Sequence, residues 1–580
     1  MILNDLIHSY DVLQSRGIIS FGWNKSGSVH FGIDINEKGE LLQVIPFTEN
    51  KKPKEMMVPS TVKKETGTAN FKKFIYGNAK YFLGYTVDSK GNGTRKITKR
   101  IDSFSTTRDY HIQLLNDVHS AAAHAIIKYF EYYSQHHDEL LEMINPVEHK
   151  EYDNAYFILC FNGIPVQSIP EITKAWTIEF PKLLADENTI EGISLLSGKR
   201  GPIARTHNSV SVPGGTNPTL ISFNKESFES YGLTQSYNAA ITAQEAYKYS
   251  AALNYLIKND EYSCSLGATT IIMWSENMKS DYSNTALDWF FGRNSEKSGL
   301  TQDNLQRIVK QITQGKCVDL GGIELDPEER FYIAGLRANV GRVQLEFYLE
   351  KTFGDFIKNI YAHYGRMQLN DGFSKNLTPY QIICQTIRSK DDFDKANQGM
   401  KEKLLISILN NTTYPSAIYS GVINRIRKES KKVTSNKAQI IKMYLIKNFH
   451  MEEVTKLELN KESKSIPYRL GRLFAVLERI QSKASDGRVE NLAEKHFNSA
   501  MATPAIAFPK LFQTNQYYMR KFGDRDKIYF DKLIQEVTSE LNAFPRHLTQ
   551  IEQGEFCLGY YHQKQEFFTK RSNSDQKEGE

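Results

Sequence analysis

The sequence predicts an α+β protein: a mixed α/β N-terminal and central region followed by an all-α C-terminal helical bundle. Three observations carry this. Val29, Phe31, Ile33 and Ile35 alternate with other residues, Asn36 to Gly39 makes a turn, and Leu41 to Ile45 returns, the pattern of a β-hairpin. Short apolar runs at Tyr156 to Phe161 and Ala268 to Trp274 read as buried strands, but nothing links them in the strand–helix rhythm of a doubly wound sheet. After about Asn410 helical periodicity takes over, clearest in Pro467 to Ala484, where Leu470, Leu473, Phe474, Leu477 and Ile480 form an apolar stripe.

The elements follow in order. Ile2, Leu3, Leu6, Ile7, Tyr10 and Leu13 mark one face of an opening helix, and Val58 to Lys99 is loop-rich and basic. Asp109 to Tyr133 reads as a helix. Thr242-Ala243-Gln244-Glu245 is a capping box ahead of Tyr249, Leu253, Leu256 and Ile257 at helical spacing. Glu329 to Phe353 and Pro379 to Ile387 look helical, as do Asn436 to Lys447, Leu492 to Ala502, Lys510 to Phe522 and Asp526 to Ala543. The polar residues Arg571 to Glu580 are expected to fray. No internal repeat is visible. The expected domains are 1–110, a basic region; 111–410, mixed α/β; and 411–580, the helical bundle.

At 580 residues the chain exceeds one hydrophobic core, and two to four domains are expected. Its five cysteines are scattered without a C-x-x-C pair, which argues against a disulfide scaffold or a cysteine-ligated zinc site and fits a reducing cytoplasm. The N-terminus lacks the basic and apolar regions of a secretory signal, and the most apolar window elsewhere, Ala155 to Pro170, is too short to span a membrane. Net charge is only +6, but residues 51–100 carry 13 Lys/Arg against 3 Asp/Glu and residues 421–530 carry 22 against 11, leaving the remainder at −15. Two basic regions on an otherwise acidic chain point to a polyanion held at two places.

Within the first basic region, Thr68 to Tyr85 interleaves Lys72, Lys73 and Lys80 with Phe71, Phe74, Tyr76 and Tyr81. Lysines neutralise phosphates, aromatics stack on bases, and the amides of Asn70 and Asn78 are suited to base edges. Lys51, Lys52 and Lys54 form a candidate phosphate clamp. Ser197-Gly198-Lys199-Arg200 superficially resembles a phosphate-binding loop, but five residues separate Gly192 from Gly198 and Arg replaces the hydroxyl residue after Lys199. The expectation is a basic turn, Lys199, Arg200 and Arg205, contacting nucleic-acid backbone, with His207 and Asn208 beside it. In the bundle, Arg469, Arg472, Arg479, Lys483, Arg488 and Lys495 suggest one positive face. His119, His124 and His136-His137-Asp138 do not assemble a metal set, and no nucleophile elbow, H-E-x-x-H pair or paired-carboxylate motif appears, so no catalytic residue, metal or cofactor is expected.

One series of strings is more distinctive. GPIAR-x-H (Gly201 to His207), SFN (Ser222 to Asn224), SYG followed by Asn238, and Ala246-Tyr247 followed by Leu253-Asn254-x-Leu256 resemble, in this order, the large subunit of the type I-C CRISPR surveillance complex (Cascade), the Csd family. FYIAGLRANVGR (Phe331 to Arg342), NKAQIIKMYLIKN (Asn436 to Asn448), YRLGRLFAVLERIQSKA (Tyr468 to Ala484) and the closing LGYYHQ extend the likeness over nearly the whole chain. The resemblance implies a non-enzymatic, cytoplasmic ribonucleoprotein subunit that recognises the protospacer-adjacent motif in invading double-stranded DNA. It would promote unwinding and R-loop formation with guide CRISPR RNA and form a platform for the helicase-nuclease effector. The string Asn78 to Gly84 falls in the motif-sensing domain, which favours Asn70, Asn78 and Lys80. Other implied partners are the Cascade backbone and 5′-handle-binding subunits. The C-terminal region is similar to a small subunit that supports the displaced strand and is made from an internal start in the same gene, here Met451 or Met443. The alternatives are a stand-alone metal-dependent nuclease and an RNA-binding scaffold without a DNA role.

Overall fold

In the computed structural model, which describes residues 1–49, 52–60, 72–89, 95–185, 189–293, 302–314, 316–319, 323–372, 374–429, 433–485 and 492–568, the expected hairpin forms between Phe31–Ile35 and Leu41–Pro46. Phe31–Ile35 also runs parallel to Tyr156–Phe161, which in turn pairs with Ile164–Pro165 and with Tyr76–Asn78. Paired on both edges, Phe31–Ile35 is buried along its whole length. Trp23–Val29, Lys52–Pro59 and Thr48–Glu49 make a second, antiparallel sheet. The opening helix, Ile2–Ser15, buries Leu6, Tyr10 and Leu13 as its periodicity requires. The helix expected over 109–133 is two helices, Ile101–Leu115 and Ala121–Gln135, packed on each other. The break falls on Asn116, Asp117 and Ser120, side chains that compete for backbone hydrogen bonds and favour turns.

Residues 1–210 and 219–254 form one compact unit; residues 211–218 and 255–580 form the other. The second unit contains an antiparallel sheet in the order Ser263–Leu266, Thr269–Ser275, Arg330–Asn339, Arg342–Thr352. Here the helix expected over Glu329 to Phe353 is corrected to a long hairpin turning at Val340 (φ +55°) and Gly341. Phe331 to Leu336 are all buried, so the strand is covered on both faces and its continuous apolar run carries no two-residue alternation to distinguish it from a buried helix. Gly335 is required opposite Phe347, since a Cβ there would lie 2.4 Å from the ring.

The C-terminal run of helices is as expected, including Ser435–Phe449, Ile466–Ala484, Leu492–Ala502, Asp524–Thr538 and the closing helix Gln550–Glu566. Pro504–Met519 starts earlier than expected, with Pro504 in its first turn and Pro509 inside it. The helices Ile466–Ala484 and Gln550–Glu566 meet at two glycines. A Cβ on Gly471 would lie 2.0 Å from the Phe556 carbonyl oxygen, and one on Gly559 would lie 2.0 Å from that of Tyr468. The two backbones touch, and neither helix has a flexible group there that can yield. Gly471→Ala or Gly559→Ala should therefore lower unfolding stability by about 3 kcal/mol or more. Gly341→Ala, with no heavy atom near its new methyl, should change it by less than about 0.5 kcal/mol. Urea unfolding followed by circular dichroism measures both.

Candidate nucleic-acid interface

Residues 74–78 of the first unit are held in one shape. Ile75 sits at φ +45°, a strained conformation for a β-branched residue. Its N–H donates to His111 Nε2 at 3.1 Å, His111 Nδ1 meets the Thr107 carbonyl at 2.7 Å, and Leu159 N–H donates to the Ile75 carbonyl at 3.0 Å. The His111 ring stacks on Phe74 and Phe130. From this anchor Tyr76–Asn78 enters the sheet beside Tyr156. Asn78 precedes the short helix Ala79–Phe82, yet its side chain does not cap it, and its Oδ1 is buried without a hydrogen-bond partner among the described residues. A buried acceptor in that state calls for a donor from elsewhere.

The basic segment around these residues carries three cations. The ammonium groups of Lys73 and Lys80 lie 5.6 and 5.2 Å from the Tyr81 ring, and that of Lys72 lies 5.6 Å from Tyr110. Lys52 and Lys54 are exposed on the second sheet; Lys51 and Asn70 lie outside the described residues. A row of rings that the sequence reading missed, His30, Tyr156 and Tyr76, borders Asn78, with stacked centroids 6.4 and 5.4 Å apart. Tyr156, the first residue of the run that reads as a buried strand, is 41% exposed. Its place at the strand's polar end was the available signal.

The basic turn connects Glu191–Ile193 to Arg200–Pro202. It is tied to the expected capping box: Glu245 Oε2 accepts hydrogen bonds from Thr242 N–H, Thr242 Oγ1 and Ser194 Oγ at 3.0, 2.7 and 2.5 Å. Burial alone would raise the Glu245 pKa, but these donors, with Ser197, hold it below the usual carboxylate range. Lys199, Arg200 and Arg205 are exposed, and Arg205 Nε donates to Gln235 at 2.9 Å. Asn208 is half-buried. His207 is a correction: it is buried, bonded through Nδ1 to Tyr249 at 2.6 Å, and its pKa is pushed down to about 4 by burial, so it is a neutral core side chain rather than a phosphate ligand. Nearby, Tyr231 stands fully exposed at φ +55° on a two-residue turn, with Asn238 bonded to Ser230 N–H and the Leu233 carbonyl.

The bundle's expected positive face is also corrected. Arg472 is completely buried and bonds to Gln563, the Lys461 carbonyl and, at 2.6 Å, Glu536. Arg469 is buried against the carbonyls of Ser463, Glu536 and Val537. Both guanidinium groups fasten the end of Asp524–Thr538 and are unavailable to solvent. Farther along the helix, Arg479 is exposed over the rings of Phe567 and Phe568, and Lys483 pairs with Asp526 at 2.7 Å. Lys495 is exposed, and Arg488 lies outside the described residues. Periodicity aligned these arginines, but neighbouring helices cover only the first part of their edge.

A model of the family described as CRISPR-associated protein (Cas_Csd1) matches residues 6–568. The chain belongs to that family. No curated protein matches it. As a Csd1-family protein it is a subunit of a Cascade complex, and the family is one of large structural subunits with no known enzymatic activity. Among the described residues of this Csd1 chain no group of three or more His, Cys, Asp or Glu is placed to hold a metal ion, and no helix is long and apolar enough to cross a membrane.

Four buried histidines of the Csd1 chain, His111, His207, His363 and His562, have pKa values lowered by burial to about 4, 4, 3 and 3. The unfolded chain takes up their protons first as pH falls, so stability present above about pH 6.5 is lost on the way to pH 4. Each should cost about 1 kcal/mol between pH 7.5 and pH 5.5. In urea unfolding at the two pH values, His207→Gln should reduce the difference by about that amount.

Proposed function

We propose that this chain is the subunit of its Cascade that recognises the protospacer-adjacent motif in double-stranded DNA, starts its unwinding, and forms the platform for the helicase-nuclease. The observation that carries this reading is the Asn78 site: a buried amide oxygen with no hydrogen-bond partner among the described residues, on a strained and anchored segment that also carries Lys72, Lys73 and Lys80, and beside a row of stacked rings. Its chemistry suits a duplex. Lys72, Lys73, Lys80, Lys52 and Lys54 neutralise phosphates, which gives sequence-independent affinity, while the half-buried Asn78 side chain donates its amide N–H to an acceptor on a base edge. Lys199, Arg200 and Arg205 contact backbone phosphates, and the exposed Tyr231 ring stacks on a base. Guide RNA pairing then reads the target sequence, a division of labour known in other RNA-guided effectors. Cleavage is left to the partner nuclease.

In the same reading the C-terminal helices support the displaced strand through Arg479, Lys483 and Lys495, and a small subunit is also produced from an internal start. Met451 suits that start better than Met443. Met443 is buried within Ser435–Phe449, whereas Met451 follows that helix directly after His450 turns the chain at φ +57°. A product beginning at Met451 keeps both helices of the glycine contact and cuts through none.

Two measurements test this. In a gel shift with the reconstituted guide-RNA complex, Asn78→Ala should weaken binding to motif-bearing duplexes about tenfold and leave scrambled duplexes nearly unchanged, while Lys80→Ala should weaken both. Equal losses for Asn78→Ala on the two duplexes would reduce the site to plain phosphate contact, and metal-dependent cutting by the purified chain would overturn the recognition reading. Replacing the Met451 codon with one for leucine should abolish a C-terminal fragment seen by mass spectrometry, whereas the same change at Met443 should not.

A further inference from the structure

A cavity in the second unit, of about 710 Å³, is lined by Thr386, Arg388, Gly421, Asn424, Arg425, Lys428 and Glu429. It arises where the stretch after the helix Pro379–Cys384 crosses Ser416–Lys428. The two segments meet at Gly421, whose added Cβ would lie 2.7 Å from that of Thr386. Three of the lining residues are cations and one is an anion. That carboxylate, Glu429, is already paired with both Arg425 and Lys437. Arg425 Nε is nonetheless buried with no acceptor among the described residues, while Arg388 and Lys428 extend into solvent. Asn424 adds an uncharged donor, whereas the Thr386 hydroxyl donates to the Ile383 carbonyl at 2.7 Å.

The surplus of positive charge is felt behind the cavity as well. The Lys437 ammonium, only 3% exposed, has its pKa pushed down to about 8, first by burial and then by Arg425. Cations from two segments, a guanidinium N–H with no acceptor among the described residues and a neutral amide beside them are the features of a site for an anion with several oxygens. The space is ample for a nucleotide.

We propose that the cavity bounded by Arg388, Arg425 and Lys428 binds a phosphate group. This rests on the reading of the chain as a nucleic-acid-binding subunit where the phosphate is a phosphodiester of a bound strand; a free nucleotide or inorganic phosphate carries the same chemistry. Arg425 provides the inner contact, and Arg388 and Lys428 close on the outer oxygens.

The test uses the full chain in its guide-RNA complex and the double variant Arg388→Glu/Lys428→Glu, whose changes lie on exposed side chains. Lys395→Glu, 80% exposed and outside the cavity, gives the effect of one charge reversal elsewhere on the surface. With a fluorescein-labelled oligothymidylate probe, anisotropy should show binding weakened at least tenfold, and the slope of log K against log[salt] should fall by about one to two. Arg425→Gln should weaken binding severalfold with an unchanged urea midpoint. If the oligonucleotide is unaffected but calorimetry shows ADP or inorganic phosphate binding to the parent complex and not to the double variant, the site serves a free anion. If neither probe distinguishes the double variant from Lys395→Glu, the proposal is overturned. Discrimination between motif-bearing and scrambled duplexes should survive in the double variant. A parent complex that lacks such discrimination would sink the recognition reading and leave the cavity to be decided by the charge reversals.

Discussion

The second unit depends on backbone contact between the helices Ile466–Ala484 and Gln550–Glu566 at Gly471 and Gly559. Side chains normally keep helices 8–10 Å apart, and their removal at these two points brings carbonyl oxygens against α-carbons. That approach has consequences on every side. It sinks Ile466–Ala484 deep enough that 14 of its 19 residues are buried, two of them arginines. A guanidinium in that position must be fully bonded, and Arg472 and Arg469 find their acceptors on Gln563, Glu536 and the final carbonyls of Asp524–Thr538. Cations at a helix C-terminus are favourably placed, so the glycine contact also fixes the position of a third helix.

This is why charge counts along the chain are a poor map of its charged surface. The basic excess over 421–530 is real, but Arg469, Arg472, Lys437 and Lys442 are spent inside, where the two lysines have pKa values lowered to about 8 by burial. Only the packing separates these from Arg479, Lys483 and Lys495. In the first basic region the counting rule works better: Lys52, Lys54 and Lys72 are exposed and Lys73 and Lys80 only half-buried, while Phe74, Tyr81, Phe82 and Leu83 fill the interior.

The legible parts of the fold were those with local causes. The hairpin at Phe31, the capping box at Thr242 and the bundle helices each follow from turn chemistry, a side chain bonding its own backbone, or periodicity within a few turns. What sequence reading missed depended on remote partners. Phe331 to Leu336 become a strand because both faces are covered, which no local pattern records. Tyr156 is exposed and His207 buried for the same reason. Within the candidate interface the lysines and Asn78 were legible as residue types, but the strain at Ile75, its tether to His111 and the unpartnered Asn78 oxygen exist only once distant segments meet.

The strain at Ile75 bears directly on how such a site works. A β-branched residue at φ +45° costs about 1–3 kcal/mol, and the fold sustains it only because hydrogen bonds to His111 and Leu159 and the stacking of Phe74 over-determine the segment. A flexible loop carrying the same lysines would bind phosphate nearly as well, since that attraction tolerates variable geometry. Reading a base edge does not: an amide displaced by an ångström loses its hydrogen bond. Rigid backbone beneath Asn78, with mobile lysine side chains around it, therefore matches the two parts of the task separately. On the proposed reading, the rigid part would discriminate and the lysines would hold the duplex.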